Sequence, residues 1–282
     1  IVYGQAVHRN EFGIMGGTFW SPNGKQLAFY RMDQSMVTDY PLVNTATRTA
    51  VLEPTKYPMA GEASHKVTVG VYDMKTGATA YLKAGDPTDR YFTNIAWSPD
   101  RKNIYMQELN RDQTDMALVS YDAATGEKLA TLYTEHNDKY VEPLHPIQFL
   151  PWDASKFILQ SQKDGYNHLY LLNTKGEQLK QITTGKWVVM EVLGFDAQHE
   201  EIIYQSNECN PIQQNIFLVD VNTGKRALMD DNGAGWHNGQ LSQNGQYIID
   251  NYQTPTVPRN IALVSTANGK RTPLFKADDP WK

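Results

Sequence analysis

The chain has 282 residues, 20% charged and 40% hydrophobic, with a formal net charge of −5. That length suits one large all-β domain or two small ones, and the mild acidity leaves no basic field for nucleic acid. No apolar run is long enough to span a membrane as a helix, and the single cysteine, Cys209, excludes a disulfide framework without deciding the compartment. The 16 Tyr, 9 Phe and 6 Trp favour pleated, half-buried strands. The chain opens Ile1-Val2-Tyr3, with neither an initiator Met nor a signal-peptide pattern, which reads as an internal position of a longer polypeptide.

In chain order, Trp20-Ser21-Pro22-Asn23-Gly24 is a turn leading into an alternating strand at 25–31. About thirty extra residues lie between Met32 and Val67, serving either as a contact arm or as a tolerated surface loop. The first hairpin turn follows at Val71-Tyr72-Asp73-Met74-Lys75-Thr76-Gly77, with an outgoing strand at 79–82. Trp97-Ser98-Pro99-Asp100 repeats the landmark, and Tyr121-Asp122-Ala123-Ala124-Thr125-Gly126 repeats the hairpin. Weaker copies come at Phe149-Leu150-Pro151 with Asn173-Thr174-Lys175-Gly176, at Phe195-Asp196 with Asp220-Val221-Asn222-Thr223-Gly224, and at Leu241-Ser242-Gln243-Asn244-Gly245 with Thr266-Ala267-Asn268-Gly269.

The hairpin glycines Gly77, Gly126, Gly176, Gly224 and Gly269 are spaced 49, 50, 48 and 45 residues apart. Near-constant spacing in that range marks propeller blades, and no segment has a helical period with caps. The fold class expected is all-β: a partial β-propeller of about five four-stranded antiparallel blades in one domain over 1–282. The first blade, with its insertion, covers 1–83, and regular blades cover about 90–134, 140–184, 188–230 and 236–276.

Catalytic patterns are absent. The sequence has no Gly-x-Ser-x-Gly elbow, no His-Glu-x-x-His and no phosphate-binding glycine loop. The seven histidines are scattered, none at metal-ligand spacing from another, and His168 and His237 read as hydrogen-bonded structural residues. No cofactor and no metal are expected.

The run His8-Arg9-Asn10-Glu11-Phe12-Gly13-Ile14, then Gly17-Thr18-Phe19-Trp20-Ser21-Pro22-Asn23-Gly24 and residues 27–37, resembles the dipeptidyl peptidase IV family and its bacterial members. So do Tyr57-Pro58-Met59-Ala60-Gly61, Ser161-Gln162-Lys163-Asp164-Gly165-Tyr166, Asn207-Glu208 and residues 241–245, and the match runs in order along essentially the whole chain. Within the family the chain looks most like the prolyl tripeptidyl peptidase branch. The resemblance implies an eight-bladed propeller, of which this chain would be the C-terminal part. An α/β-hydrolase domain with a Ser–Asp–His triad would follow, starting near Asp278-Asp279-Pro280-Trp281-Lys282. It implies release of N-terminal di- or tripeptides ending in proline, and a periplasmic or secreted location.

In that family a propeller glutamate, or a Glu-Glu pair, holds the peptide's α-ammonium. The match carries this role to Glu11, with Arg9 and Asn10 standing where a dipeptidase pair would stand. The single acid puts dipeptide release in doubt and favours the tripeptidyl branch. Arg31 and Asp33 are candidate supports of the segment, and the match at Tyr140-Val141-Glu142-Pro143-Leu144-His145 is too loose to carry a role. The expected partners are a peptide N-terminus, the hydrolase domain of the same polypeptide and a second copy in a homodimer. The chain by itself is expected to be inactive. The alternative is a non-enzymatic propeller that docks proteins or glycans, because fold does not fix function.

Overall fold

The repeated turns fold as they do because each carries its own hydrogen-bond acceptor. In a computed structural model describing residues 1–230 and 233–279, the Asp73 carboxylate accepts from Lys75 N at 2.9 Å and Thr76 N at 2.8 Å. Asp122 does the same for Ala124 and Thr125, and Asp220 for Asn222 and Thr223. The glycine that closes each turn has φ near +73°, and its N–H returns to the aspartate carbonyl at 2.8–2.9 Å. The Trp-Ser-Pro landmark has its own device. The Ser21 hydroxyl donates to Asn23 Oδ1 at 2.9 Å and accepts from Gln26 N at 3.0 Å. Ser98 and Ser242 repeat it. These local bonds set strand register without help from distant parts of the chain.

The chain is a partial β-propeller that divides into two compact units, Ile1–Ile147 and Gln148–Lys282. In the first unit, β1 (Val2–Tyr3) and β2 (Thr18–Trp20) both pair with β3 (Gln26–Asp33). A separate antiparallel ribbon of β4 (Asp39–Asn44) and β5 (Val51–Lys56) follows. β6 (Lys66–Asp73) and β7 (Thr79–Tyr81) then complete the first sheet. A second sheet holds β8 (Arg90–Trp97), β9 (Asn103–Asn110), β10 (Asp115–Asp122) and β11 (Lys128–His136) in meander order.

The second unit has three four-stranded meanders. They are β12 (Gln148–Leu150) to β15 (Gln178–Gln181) through β13 (Asp153–Ser161) and β14 (His168–Asn173); β16 (Val189–Asp196), β17 (Glu201–Ser206), β18 (Asn215–Asp220) and β19 (Arg226–Leu228); and β20 (Trp236–Leu241), β21 (Tyr247–Thr254), β22 (Val257–Ser265) and β23 (Arg271–Lys276). Among the described residues the one helical element is a three-residue turn, His8–Asn10. The expected run toward a hydrolase ends on Pro280, Trp281 and Lys282, which lie outside the described residues.

Alternation places Ala28, Tyr30 and Met32 of β3 on the inner side. They pack with Val67, Val69 and Val71 of β6 and with Phe92, Ile104 and Met106 of the second sheet. Two polar ties cross that apolar layer: Tyr30 Oη donates to Phe92 O at 2.8 Å, and Trp97 Nε1 donates to Phe19 O at 3.0 Å. Within the second unit, Ile202, Tyr204, Phe217 and Val219 pack with Ile158, Leu169 and Leu171, and Ile203, Ile216 and Leu218 pack with Ile248 and Val264.

His168 and His237 are buried and bonded. His168 contacts the Thr183 hydroxyl and Gly185 O, both at 3.0 Å. His237 Nδ1 meets Asp250 Oδ2 at 2.8 Å. The insertion after β3 is a ribbon whose two faces are both open, with the successive residues Leu42 and Val43 47% and 59% exposed.

Candidate functional site

The segment between β1 and β2 turns back on itself through residues of the wrong hand for a non-glycine chain. His8, Arg9 and Asn10 have φ of 49°, 58° and 66°, and Phe12 has φ 56°. Left-handed non-glycine residues are strained and are held only where the surroundings over-determine them. Three anchors do so here. Phe12 is buried among Tyr91, Leu109, Met116 and Val141. Asn94 Nδ2, itself on a left-handed residue (φ 54°), donates to Phe12 O at 3.2 Å and to Pro143 O at 2.9 Å. Gly13 has φ +72°, and a β-carbon there would stand 1.9 Å from Leu144 O. Residues 140–145 therefore form the bed of this turn, and Gln107 Nε2 fixes the bed by donating to His145 O at 2.8 Å.

Within the turn, Asn10 N donates to Val7 O at 3.1 Å, Glu11 N to His8 O at 3.2 Å and Ile14 N to Glu11 O at 3.0 Å. Glu11 is exposed. Its carboxylate makes no hydrogen bond or ion pair among the described residues, and its charge reaches the Tyr91 phenol, which burial chiefly holds above the ordinary tyrosine value. Arg9 and Asn10 are exposed as well. The Arg9 guanidinium lies over the Tyr57 ring, 4.8 Å from its centre. Tyr57 stands on the segment after β5, where its N–H donates to Thr38 O at 3.0 Å, and Tyr40 packs on it at 6.0 Å.

Arg9 and Asn10, with His8, line one side of an open cleft of about 710 Å³ whose other side comes from Gln34, Thr55, Lys56 and His65. Glu11 does not line it. His8 and His65 are both buried, with ring centres 6.1 Å apart. Burial, and then the neighbouring His65, push the His8 imidazole down to about 3, while burial and then the Arg9 charge lower His65.

Arg31 and Asp33 sit at the outer end of β3. The Arg31 backbone pairs with Tyr3, on the strand that leads into the turn. Asp33 Oδ1 accepts from Ser35 N at 2.9 Å, and the Ser35 hydrogen bonds hold its carboxyl below the ordinary value. No ion pair joins Arg31 to Asp33 among the described residues.

Sequence reasoning missed His8, Tyr57, His65, Tyr91 and Asn94. Of these, His8 and Tyr57 carried a signal, within the His8–Ile14 run and the Tyr-Pro-Met-Ala-Gly segment. In the second unit, Asp196, His199 and Glu201 each place one ligand atom within 4.8 Å of the others, a set that could hold a cation. Asp196 is already occupied there by Gln198 N at 2.9 Å and His199 Nδ1 at 2.8 Å. Among the described residues, no helix is long and apolar enough to cross a membrane.

Residues 1–259 match the family described as the dipeptidyl peptidase IV (DPP IV) N-terminal region. A probable dipeptidyl-aminopeptidase B of Phaeosphaeria nodorum is 27% identical over 281 residues, covering 90% of this chain and 31% of the relative. Its counterpart in Pyrenophora teres is 25% identical over 280 residues, again with 90% and 31% covered. Among solved structures, a putative dipeptidyl aminopeptidase IV from Bacteroides ovatus superposes with a TM-score of 0.92 at 48% identity, covering 99% of this chain and 42% of that one. Dipeptidyl peptidase 4 of Porphyromonas gingivalis gives 0.87 at 26% identity, covering 98% and 39%. The chain thus spans about a third of the length of the curated relatives it matches.

Proposed function

Since the chain belongs to the dipeptidyl peptidase IV family, as part of its N-terminal region, we propose that it is the substrate-recognition and gating propeller of a serine exopeptidase that releases N-terminal di- or tripeptides ending in proline. The five sheets act as consecutive blades of one domain, and the nucleophile belongs to a hydrolase domain of the same polypeptide. The chain by itself does not hydrolyse peptides. The full-length protein is a bacterial enzyme that works outside the cytoplasm. The ribbon β4–β5, with apolar side chains open on both faces, supports a homodimer in which a second copy covers it.

One observation carries the reading of the site. Glu11 presents an exposed carboxylate with no partner among the described residues, on a turn whose backbone is tied down. Such a group is ready to take a peptide's α-ammonium through charge-assisted hydrogen bonds. It discriminates against blocked termini, which would leave the carboxylate unpaired. Arg9 and Asn10 flank it on the same turn. Arg31 and Asp33 support it at one remove, Arg31 by pairing with the incoming strand and Asp33 by fixing the Ser35 turn. A lone acid here favours tripeptide release.

The test is kinetic, on the full-length protein. Glu11→Ala lowers kcat/KM for free-amine proline peptides by at least about tenfold, the scale of a lost charged hydrogen bond. N-acetylated peptides, poor substrates throughout, are unaffected. Equal kcat/KM for variant and parent on the free-amine peptides refutes the role.

A further inference from the structure

The cleft beside the turn has the opposite chemistry from Glu11. Its polar lining includes His8, Arg9, Asn10, Gln34, Lys56 and His65, and among the described residues no carboxylate lines it. The Arg9 guanidinium has no carboxylate partner among the described residues and is oriented only by the Tyr57 ring, 4.8 Å away. Lys56 is partly spoken for, paired with Asp39 at 3.1 Å and donating to Val37 O at 3.0 Å. Two ring nitrogens complete the set. His8 Nε2 and His65 Nδ1 are both buried and have no hydrogen-bond partner among the described residues. Buried polar atoms are almost always satisfied, so two orphans among the residues that line one cleft stand out.

The charge balance says which kind of partner. A cation would meet Arg9 and Lys56 and find no acid. An anion would meet one unpaired guanidinium, an ammonium shared with Asp39, and the Asn10 and Gln34 amides, beside two buried imidazoles. Both imidazoles are held neutral, His8 by burial and then His65, and His65 by burial and then Arg9. They therefore add no charge to the cleft, and the fixed attraction comes from Arg9.

We propose that this cleft is an anion subsite, taking the side-chain carboxylate of an acidic residue near the N-terminus of a bound peptide. The source of the anion rests on the peptidase reading above; the anion chemistry does not. Arg9 and Glu11 stand two positions apart, with Cα atoms no more than about 7.6 Å from each other, so one peptide end can present its amine to Glu11 and an early side chain to Arg9.

The experiment uses the full-length protein and a matched set of free-amine proline peptides with Glu, Gln or Lys at one early position. The Glu peptide has a kcat/KM about tenfold above the Gln peptide, as expected for a hydrogen-bonded charge pair, with the Lys peptide lowest. Arg9→Gln levels the order and Arg9→Glu inverts it. Because Arg9 is exposed, neither variant lowers the melting temperature. Glu11→Ala lowers all three peptides alike and keeps the order. If Arg9→Glu leaves the order unchanged while Glu11→Ala lowers every peptide, the subsite is refuted and the amine reading stands. If Glu11→Ala has no effect while Arg9→Glu inverts the order, the amine reading fails and the subsite stands. Calorimetric titration with inorganic phosphate separates the sources. Phosphate that competes with the Glu peptide supports the assignment. Phosphate binding lost in Arg9→Glu, with no preference among the peptides or no turnover of any, overturns the peptide side chain as ligand.

Discussion

Replacing Gly13 by Ala tests whether the turn's bed really fixes it. Two penalties act at this position. At φ +72° an L-residue pays left-handed strain of about 1 kcal/mol. The new methyl also lands 1.9 Å from Leu144 O, a backbone atom, so the bed must move. That bed is pinned on either side, Pro143 O by Asn94 and His145 O by Gln107. Forcing packed backbone apart costs about 1–3 kcal/mol more, for a combined loss of roughly 2–4 kcal/mol. Gly24 is the control, with φ +67° and nothing within 4 Å of where a β-carbon would stand, so Gly24→Ala carries the strain alone. At about 2–4 °C per kcal/mol for a domain of this size, melting should fall by roughly 3 °C in Gly24→Ala and two to four times as far in Gly13→Ala. In the full-length protein, Gly13→Ala also lowers kcat/KM for free-amine peptides, because Glu11 and Arg9 move with the turn. Equal melting shifts in the two variants would refute the argument that Leu144 and the turn are locked together.

Three further outcomes follow from the blade interior. Tyr30→Phe removes the buried donor to Phe92 O and should cost about 1–3 kcal/mol in urea denaturation, because the carbonyl is left unpaired; an unchanged midpoint would show that the carbonyl finds water. At His237, burial disfavours the charge, but Asp250 and then Asp230 outweigh it and raise the imidazole above 6.5. Its contribution is therefore complete below that value and is lost as pH rises through the higher folded value, so melting temperature should decline above about pH 7; His237→Gln should flatten the decline, and an identical profile would exclude this residue as its source. The Asp122 carboxyl is held below 3.8, first by the Thr125 N–H. Its contribution is present above 3.8 and disappears as pH falls through the lower folded value; Asp122→Ala should reduce the steepness of acid unfolding, and an unaltered acid limb would count against the turn bond.

The blades were legible in the sequence because their information is local. Asp73, Thr76 and Gly77 satisfy one another within five residues, and so do Ser21, Asn23 and Gln26. A spacing of such turns therefore states the architecture directly. The turn that bears Glu11 was legible only by likeness. Nothing in His-Arg-Asn-Glu-Phe-Gly specifies left-handed φ, because the conformation is imposed from afar: by Asn94, which is 82 residues from Phe12 in the chain, and by Leu144. The cleft was invisible for the same reason, since His8 and His65 meet only after the ribbon is inserted between β3 and β6. The cation-compatible trio Asp196, His199 and Glu201 is not legible from His and Cys spacing because two of its ligands are carboxylates, one closing β16 and one opening β17.

The strain in the turn bears on what the turn is for. Arg9 and Glu11 carry opposite charges two positions apart, yet no ion pair joins them among the described residues. A relaxed right-handed turn would let them approach, and at about 4 Å in water the attraction would be worth about 1 kcal/mol. Instead His8, Arg9, Asn10 and Phe12 all sit at positive φ, each at a penalty of about 1–2 kcal/mol for an ordinary side chain. Burying Phe12 offsets about 1.5–3 kcal/mol of that, and the Asn94 bond to Phe12 O contributes about 1 kcal/mol. These two contributions fall short of the strain summed over four residues. What the left-handed run achieves is separation: Arg9 is turned onto Tyr57 and lines the cleft, while Glu11 stays outside the cleft with its carboxylate unpaired. Two opposite charges kept apart at a cost in strain suit a ligand that also carries two, an ammonium at its end and a carboxylate close behind.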